Sequence, residues 1–469
     1  MISKFAARAL AIIVGLVLLY VAPCTAQDAT ATKVDDFIKS EMQKQHIPGV
    51  ALAVVKSGQV VLAKGYGYSN VEHQVPVKPE TIFQSGSVGK QFTATAVMML
   101  VEEGKINLAE NLGKYLGNVA DAWKNITVQH LLTHTAGMTD YPNDFDYRRD
   151  YTEDEMLKLM QTLPLAFQPG EKWQYSNLGY VTLGIIIHKV TGKFYGDFMQ
   201  ERIFKPLGMT TARIISESDL VPNRAAGYRL LKGELKNQDW VAPMTNTTAD
   251  GSLYLTVLDM AKWDAALYGE TLLKKTSFDR MWTAVKLNNG KTYPYGFGWS
   301  LGEVRGHRII EHGGAWQGFK AMISRYVDDQ LTVIVLANLS EANESKLARG
   351  VAAIYNPELA PLPLQPIEDK EPQVTARVKE LLQKFVAGTA DSNLFTKEAQ
   401  AVIFPEGAQR FSELLKPLDT LNQIRLVERK DEDGLRVYRY RLTYKDELLL
   451  LAVSLTKEDK IAGIDAEPE

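Results

Sequence analysis

The chain has 469 residues, of which 45% are hydrophobic and 23% are charged, and its formal net charge is −3. This composition is that of an ordinary globular protein with room for two or three domains. The small net charge gives no basis for a nucleic-acid partner, and seven scattered histidines without an HExxH motif or a cysteine cluster argue against a zinc site.

The N-terminus has the pattern of an export signal. Lys4 and Arg8 precede an apolar run, Ala9–Ala22, which is shorter than the about 20 residues of a membrane span. Small residues follow up to Ala26, so we predict a signal peptide over residues 1–26 and an exported, periplasmic or secreted mature chain without a stable membrane span. Lipid anchoring at Cys24, the only cysteine, is less favoured because Pro23 fits a lipoprotein box poorly.

The next elements are a helix, a hairpin and a second helix. Apolar spacing predicts an amphipathic helix over Val34–Gln45. The runs VALAVV (50–55) and VVLAKGYGY (60–68) predict two paired strands joined at Lys56-Ser57-Gly58-Gln59. The region Ser87–Gly104 lacks proline and is rich in apolar residues, which predicts a mostly buried helix.

Helices are predicted in the middle of this region and strands return at its end. Asn177–Thr191 is typical of a buried helix, and a further helix is expected over about 341–355. Four runs with short turns between them predict an antiparallel meander: YGFGWSLGE (295–303), HRIIEHGG (307–314), GFKAMISRYV (318–327) and LTVIVLANL (331–339). Joining the hairpin to this meander gives one sheet with helices around it.

A proline-rich segment, residues 356–372, predicts a stiff linker. Beyond it, residues 373–469 have helix-like stretches at Val374–Val386 and Gln409–Leu415 and three strand-like runs, IRLVERK, LRVYRYRLTY and ELLLLAVSLT. The predicted organisation is therefore a leader, a large domain over 27–355, a linker, and a small α+β accessory domain.

Ser87-Val88-Gly89-Lys90 is the first candidate for chemistry. At a helix start, Ser87 and Lys90 lie one turn apart on the same face, and a buried lysine can take the proton of a serine nucleophile. The S-x-x-K pattern is common, and Ser454-Leu455-Thr456-Lys457 repeats it. That second copy falls in a strand-like run, where its side chains diverge, so its position favours the first copy.

Three Y-x-N triplets compete for the role of proton relay and substrate-amide ligand: Tyr68-Asn70, Tyr141-Asn143 and Tyr175-Asn177. The first ends a strand-like run and has the composition of a turn. The second contains a central proline in a polar loop. The third precedes an apolar helix, and a role of Asn177 as a helix cap alone is an alternative that spacing leaves open.

A strand edge with a proton donor and small residues would complete such a site. Glu311-His312-Gly313-Gly314-Ala315-Trp316 ends one strand candidate, and its two glycines permit close backbone approach. His312 is a candidate for hydrogen bonding to a substrate carboxylate or carbonyl, and the Ala315 N–H for an oxyanion hole, with a plain turn as the alternative. Lys56-Ser57-Gly58 also has the composition but is better explained as the hairpin turn.

Taken in order, Ser87-x-x-Lys90, Tyr175-x-Asn177 and His312-x-Gly314 resemble the serine β-lactamase and penicillin-binding-protein superfamily, most closely its class C β-lactamase, DD-carboxypeptidase and esterase group. Further stretches share the likeness over about 33–355: LLTHTAGM (131–138), PGEKWQYSNLGY (169–180), IFKPLGM (203–209), DGSLYLTVLDMAKW (250–263), YGFGW (295–299) and HGGAWQGF (312–319). The resemblance implies an α/β sandwich, in which an antiparallel sheet is flanked by helices beside an all-helical region.

The resemblance also implies roles. Ser87 is the acylated nucleophile, Lys90 its base partner and Tyr175 the general acid/base, while Asn177 binds the substrate amide. His312, Gly313 and Gly314 stand where a K-[ST]-G triad is usual, and the oxyanion hole falls on the N–H groups of Ser87 and Ala315. No metal or organic cofactor is implied, and the sequence does not decide whether Lys90 or Tyr175 is the base.

No K-[ST]-G follows the Y-x-N, and a histidine normally titrates near neutrality where a lysine does not. We therefore predict a serine hydrolase that acts through an acyl-enzyme on peptide substrates, of D-amino-acid or cell-wall type, or on esters. The alternatives are a β-lactamase proper and a penicillin-binding-type sensor without turnover. An α/β-hydrolase is disfavoured because the chain has no G-x-S-x-G elbow. Activity is expected to change as His312 titrates.

Overall fold

The computed structural model describes residues 29–214, 218–362, 364–418, 420–432, 434–445 and 447–468. The predicted signal peptide and Cys24 lie outside these residues. The chain divides into two compact units between Ala360 and Pro361. None of the described helices has the length and apolarity to cross a membrane. The predicted boundaries of leader, domains and linker stay predictions.

The first unit is built on a seven-stranded antiparallel sheet in the order β10-β11-β12-β13-β1-β2-β3. Three pairs of short strands, β4 with β7, β5 with β6 and β8 with β9, lie outside it. The strands of this unit are β1 (Gly49–Lys56), β2 (Gln59–Asn70), β3 (Val75–Pro76), β4 (Phe83–Gln84), β5 (Tyr228–Leu231), β6 (Glu234–Asn237), β7 (Tyr254–Leu255), β8 (Val285–Lys286), β9 (Thr292–Tyr293), β10 (Ser300–Val304), β11 (His307–Trp316), β12 (Phe319–Tyr326) and β13 (Leu331–Ala337).

The sheet joins the beginning and the end of the unit, as the sequence predicts. β1 and β2 form the predicted hairpin, and Ser57 and Gly58 both have positive φ angles in its turn. β10 to β13 form the predicted meander, and β13 pairs with β1 in the register Ala53↔Ile334. Because β1 is central, the alternation of its side chains supplies both cores of the unit.

Helices cover both faces of this sheet. Val50, Leu52 and Val54 pack in a core with residues of the N-terminal helix and of α10, whereas Ala51 and Ala53 belong to the larger core on the other face. The larger core contains the all-helical region. The helices of the unit are α1 (29–45), α2 (Lys90–Glu102), α3 (Gly113–Leu116), α4 (Val128–Leu132), α5 (Glu153–Thr162), α6 (Asn177–Thr191), α7 (Tyr195–Met199), α8 (Val257–Ala266), α9 (Lys275–Met281) and α10 (Glu344–Tyr355). The α/β sandwich predicted from the sequence is present.

The second unit is a small α+β fold. Its four strands form an antiparallel sheet in the order β14-β15-β16-β17, and one apolar core joins the sheet to the helices. The strand β17 and the helix α12 were not predicted from the sequence. The elements are α11 (Pro372–Ala387), α12 (Lys397–Ile403), α13 (Glu406–Leu415), β14 (Gln423–Glu432), β15 (Leu435–Thr443), β16 (Leu448–Leu455) and β17 (Ile461–Pro468).

Candidate active site

Ser87 lies in a 3-10 turn, Gly86–Gly89. The sequence predicts instead that Ser87 lies in the first turn of an α-helix. The α-helix α2 begins at Lys90. In a 3-10 helix residues i and i+3 eclipse, so the turn aligns the two side chains, and the Lys90 Nζ lies 2.9 Å from the Ser87 Oγ. Ser87 is only partly buried, which leaves its hydroxyl within reach of a substrate.

Lys90 is fully buried at the start of α2. Burial lowers the pKa of its ammonium group to about 8, although the negative charges of Asp250 and Asp140 act in the opposite direction. Besides Ser87, its Nζ contacts the Asn177 Oδ1 at 2.7 Å and the backbone oxygen of Asp250 at 2.5 Å. A lysine with such a pKa releases its proton in the range where many hydrolases work.

These contacts fix the direction of the lone pair when Lys90 is neutral. The Asn177 and Asp250 oxygens are carbonyl oxygens, which only accept hydrogen bonds, so they take the two N–H bonds of the neutral amine. The lone pair then faces the Ser87 hydroxyl, which can donate. The geometry is that of a general base next to a nucleophile.

Asn177 is oriented by Asp140. The Asn177 Nδ2 donates to the Asp140 Oδ2 at 2.9 Å, so the amide oxygen faces Lys90 and a second N–H remains available. The Asn177 backbone N–H also donates to Asp140, at 3.2 Å. Ser176, and not Asn177, caps helix α6, through a hydrogen bond from the Gly179 N–H. The alternative of Asn177 as a cap alone is therefore excluded.

Tyr175 lies just before α6 with its ring near Lys90, whose Nζ is 4.9 Å from the ring centroid. Its hydroxyl is buried and makes no hydrogen bond of good geometry to the described residues. Burial raises the pKa of Tyr175 well above its usual value, and the nearby Ser87 side chain only partly offsets this. At neutral pH Tyr175 thus holds its proton while Lys90 is close to losing one.

Two glycines let strand β11 approach the turn that carries Ser87. A Cβ on Gly314 would lie 2.0 Å from the Ser85 backbone oxygen, and a Cβ on Gly86 would lie 2.5 Å from the Ala315 backbone nitrogen. Gly86 also has a φ of +51°, which disfavours other residues. The pairing of β11 with β10 ends at Glu311, so in the described part of the chain no strand covers residues 312–316 on that side.

His312 lies at the site but with both ring nitrogens occupied. Its Nε2 is 2.9 Å from the Tyr295 hydroxyl, and its Nδ1 is 2.6 Å from the Gly313 backbone oxygen. Burial lowers the pKa of His312 to about 4. The expectation that His312 titrates near neutrality is therefore wrong. Its predicted contact with a substrate carboxylate or carbonyl stays a prediction.

The three Y-x-N triplets separate clearly. Tyr68 and Asn70 lie at the end of β2, which three strands separate from β11. Tyr141, in contrast, reaches the edge of the site, and its hydroxyl is 3.5 Å from the Asp250 Oδ2. Only the third triplet places both its tyrosine and its asparagine beside Lys90.

Four further residues belong to the site but were not identified from the sequence: Asp140, Asp250, His134 and Tyr295. All except Asp140 lie in stretches that carry the family resemblance, but no motif spacing indicated a role for them. Their contacts arise from tertiary packing between distant segments. No group of three or more His, Cys, Asp or Glu side chains that fits a metal ion occurs among the described residues.

Comparisons with known proteins agree with this geometry. The family model described as Beta-lactamase matches residues 34–355. A penicillin-binding protein of Bacillus subtilis (strain 168) is 32% identical over 325 residues, which cover 65% of this chain and 71% of that protein. The D-aminopeptidase of Gluconobacter oxydans (strain 621H) is 27% identical over 324 residues, covering 66% of this chain and 60% of that protein.

The fold is also that of a known structure. The octameric penicillin-binding protein homologue from Pyrococcus abyssi superposes with a TM-score of 0.65 at 24% identity, covering 94% of this chain and 98% of that one. At that identity the likeness shows the fold alone, but it extends beyond the first unit. From the family match over residues 34–355 and the similarity of the B. subtilis protein, the chain belongs to the β-lactamase family of serine hydrolases.

Proposed function

We propose that Ser87 is the nucleophile of this hydrolase, with Lys90 as its general base and Tyr175 as general acid, and that the substrates are peptides of D-amino-acid or cell-wall type, or esters. The observation that carries the proposal is the buried Lys90 Nζ, 2.9 Å from the Ser87 Oγ, with its other two contacts made by acceptor oxygens. The relatives named penicillin-binding protein and D-aminopeptidase support the peptide substrate class.

Acylation follows from these contacts. Neutral Lys90 takes the proton of the Ser87 hydroxyl as the Oγ attacks the substrate carbonyl carbon. The carbonyl oxygen gains negative charge and is stabilised by the backbone N–H groups of Ser87 and Ala315. The second N–H of Asn177, together with the backbone of Gly313 and Gly314, orients the substrate amide along β11.

Collapse of the tetrahedral intermediate needs a proton on the leaving group. Tyr175 donates its hydroxyl proton to the leaving amine or alcohol and regains one from the Lys90 ammonium, so the net transfer runs from Ser87 to the leaving group. A water molecule then attacks the ester carbonyl, and its proton returns to Ser87 through the same groups. The high pKa of Tyr175 keeps its hydroxyl protonated, and the low pKa of Lys90 makes its neutral form accessible, which supports lysine as the base and tyrosine as the proton donor.

Labelling of the purified protein with a fluorophosphonate or penicillin-type probe tests this proposal. We expect a single covalent adduct on Ser87 by mass spectrometry and none on Ser87→Ala. Labelling of the Ser87→Ala variant at an unchanged rate would contradict the assignment. Ser69→Ala is a matched control, because Ser69 lies in β2, away from the site, and its hydroxyl donates to Val75.

The same protein distinguishes the alternatives. A panel of D-amino-acid peptides, short-chain esters and nitrocefin is expected to show turnover of peptides or esters and little hydrolysis of nitrocefin, because His312 offers no cation for a β-lactam carboxylate. Efficient nitrocefin hydrolysis would favour a β-lactamase proper. An adduct that forms stoichiometrically without turnover of any substrate would favour a sensor.

We also propose where the protein is located and how its chain is organised. Residues 1–26 are proposed as a cleaved leader that exports the chain, followed by a hydrolase domain (27–355), a linker (356–372) and an accessory domain (373–469). N-terminal sequencing of the exported protein is expected to begin near Gln27. A mature chain that begins at a lipidated Cys24 would contradict this cleavage site.

A further inference from the structure

A chain of hydrogen bonds through three buried side chains connects the segment that carries Tyr175 with strand β11. The Ser176 backbone N–H contacts the His134 Nδ1 at 3.1 Å. The His134 Nε2 is 3.2 Å from the Tyr295 hydroxyl, which is 2.9 Å from the His312 Nε2. The chain ends where the His312 Nδ1 meets the Gly313 backbone oxygen at 2.6 Å.

Both ends of this chain are backbone groups whose hydrogen-bonding roles cannot change. The Ser176 N–H only donates, so the His134 Nδ1 accepts, and the proton of the neutral ring is on Nε2. The Gly313 oxygen only accepts, so the proton of neutral His312 is on Nδ1 and its Nε2 accepts from Tyr295. The Tyr295 oxygen, in turn, accepts from His134. One arrangement of protons satisfies all four of these contacts.

We propose that Tyr295 and His134 are positioning residues, which hold His312 in a single tautomer and thereby fix strand β11 beside the Tyr175–Asn177 segment. The inference goes beyond the proposed function in one respect: His312 acts by holding the backbone of Gly313, and not by contacting the substrate. Its kinetic part rests on the proposed function, and its structural part does not.

The packing around this chain of hydrogen bonds supports the positioning role of His134 and Tyr295. The His134 ring lies 4.2 Å from the Tyr175 ring, centroid to centroid, so the first histidine also supports the proposed acid. His134 has a φ of +57°, an uncommon backbone conformation for a residue other than glycine. His134 and His312 are almost completely buried, and Tyr295 is 2% exposed, so water does not compete for these hydrogen bonds.

Neither His134 nor His312 can take a second ring proton without losing one of these hydrogen bonds. A proton on the His312 Nε2 would face the Tyr295 hydroxyl, which already donates there, and a proton on the His134 Nδ1 would face the Ser176 N–H. Burial lowers the pKa of both histidines, and the charge of Lys90 acts in the same direction. The titratable side chains around them are Lys90 on α2, Tyr175 before α6, Tyr180 on α6, and Tyr295 between β9 and β10.

Removal of one hydroxyl tests the kinetic part. Tyr295→Phe deletes the two central hydrogen bonds but keeps the ring, and we expect kcat to fall about 10- to 100-fold with little change in KM, because the substrate still binds while the reacting groups lose alignment. Tyr293→Phe is the matched control. The Tyr293 ring stacks on the Trp173 ring, with centroids 4.0 Å apart, and its hydroxyl is not part of the chain of hydrogen bonds. Equal kcat values for Tyr295→Phe and wild type would overturn the positioning role.

Nitrogen-15 NMR of the histidine side chains tests the structural part without any need for activity. In the wild-type protein at pH 6 we expect neutral His134 protonated on Nε2 and neutral His312 protonated on Nδ1, with signals assigned from His134→Gln and His312→Gln. In Tyr295→Phe the His312 Nε2 loses its donor, so the midpoint of its titration moves to higher pH. A wild-type His312 that is doubly protonated at pH 6, or carries its proton on Nε2, would overturn the inference even if the hydrolase proposal holds.

Discussion

Lys90 and His312 are both buried bases of one site, and burial lowers the pKa of each, yet their surroundings prepare them for different roles. Lys90 has two neighbours that only accept hydrogen bonds and a third, the Ser87 hydroxyl, that can also donate. His312 stands in a chain whose ends are a fixed donor and a fixed acceptor. Around Lys90, one proton can move between the Ser87 Oγ and the Lys90 Nζ. Around His312, every proton is held in a hydrogen bond whose direction is fixed.

The difference shows why burial alone does not identify a catalytic base. A group that exchanges a proton needs a partner with both a donor and an acceptor state, and among its direct contacts Lys90 has one in Ser87. The neighbours of His312 have their hydrogen bonds already assigned. Of the two groups, Lys90 therefore has the pKa closer to neutrality, whereas the sequence predicts that His312 titrates there.

The largest expected effect comes from removing the amine of Lys90, the proposed acceptor of the Ser87 proton. Lys90→Met keeps the length and burial of the side chain but removes the base, and we expect kcat/KM to fall by about 1,000-fold or more. Lys124→Met, at an exposed lysine paired with Asp121, is the matched control and should keep wild-type activity. Activity of Lys90→Met within tenfold of wild type, measured on the best ester or peptide of the panel, would mean that another group is the base.

The next effect concerns the close contact between β11, which carries His312, and the turn that carries Ser87. Gly314→Ala places a methyl group 2.0 Å from the Ser85 oxygen, so β11 and the turn that carries Ser87 must separate. We expect a loss of folding free energy of about 1–3 kcal/mol and a fall in kcat of about 100-fold. Gly302→Ala in β10 is the control, because its nearest neighbour would be a side-chain methyl at 3.4 Å. Equal stability of the two variants in urea denaturation would refute the tight packing.

A smaller effect is expected at the carboxylate that orients Asn177. Asp140→Asn keeps an acceptor for the Asn177 amide but removes a negative charge that raises the pKa of Lys90. The pKa of Lys90 then falls, so the rise of kcat/KM with pH should move to lower pH, with a loss of about tenfold or less at the plateau. Asp144→Asn, an exposed carboxylate in the same loop, should leave the profile in place. A shift to higher pH would have the wrong sign for this account.

The last expected effect is on stability. The folded-state pKa of Lys90 is about 8, below the 10.5 of a free lysine, so the unfolded chain binds more protons between these values and stability rises with pH there. Converted entirely into free energy of unfolding, the difference between the two pKa values corresponds to about 3 kcal/mol, which is an upper limit. The wild type should therefore gain stability relative to Lys90→Met between about pH 8 and 10.5. Thermal unfolding of both proteins over that range measures it, and parallel curves would contradict a buried lysine with a low pKa.

The sequence predicts the parts of this molecule that depend on local pattern. The strands of the meander, helix α6 and the pairing of Ser87 with Lys90 each follow from periodicity or from a three-residue spacing. The hydrogen bonds to Asp140 and Tyr295 do not, because they join segments that are 37 and 17 residues apart along the chain. The same limit applies to His312: its spacing in the sequence is a local pattern, but its protonation depends on Tyr295 and on its own burial.

The pH dependence of Ser87 labelling by a fluorophosphonate is the most direct test of the central claim, that deprotonation of Lys90 activates Ser87. The rate depends on the free enzyme and requires no knowledge of the natural substrate. We predict a single rise with a midpoint near pH 8, since the pKa of Lys90 is about 8. A rate that is constant from about pH 6 to 10, or that rises with a midpoint near the 6.5 of an ordinary histidine, would contradict it.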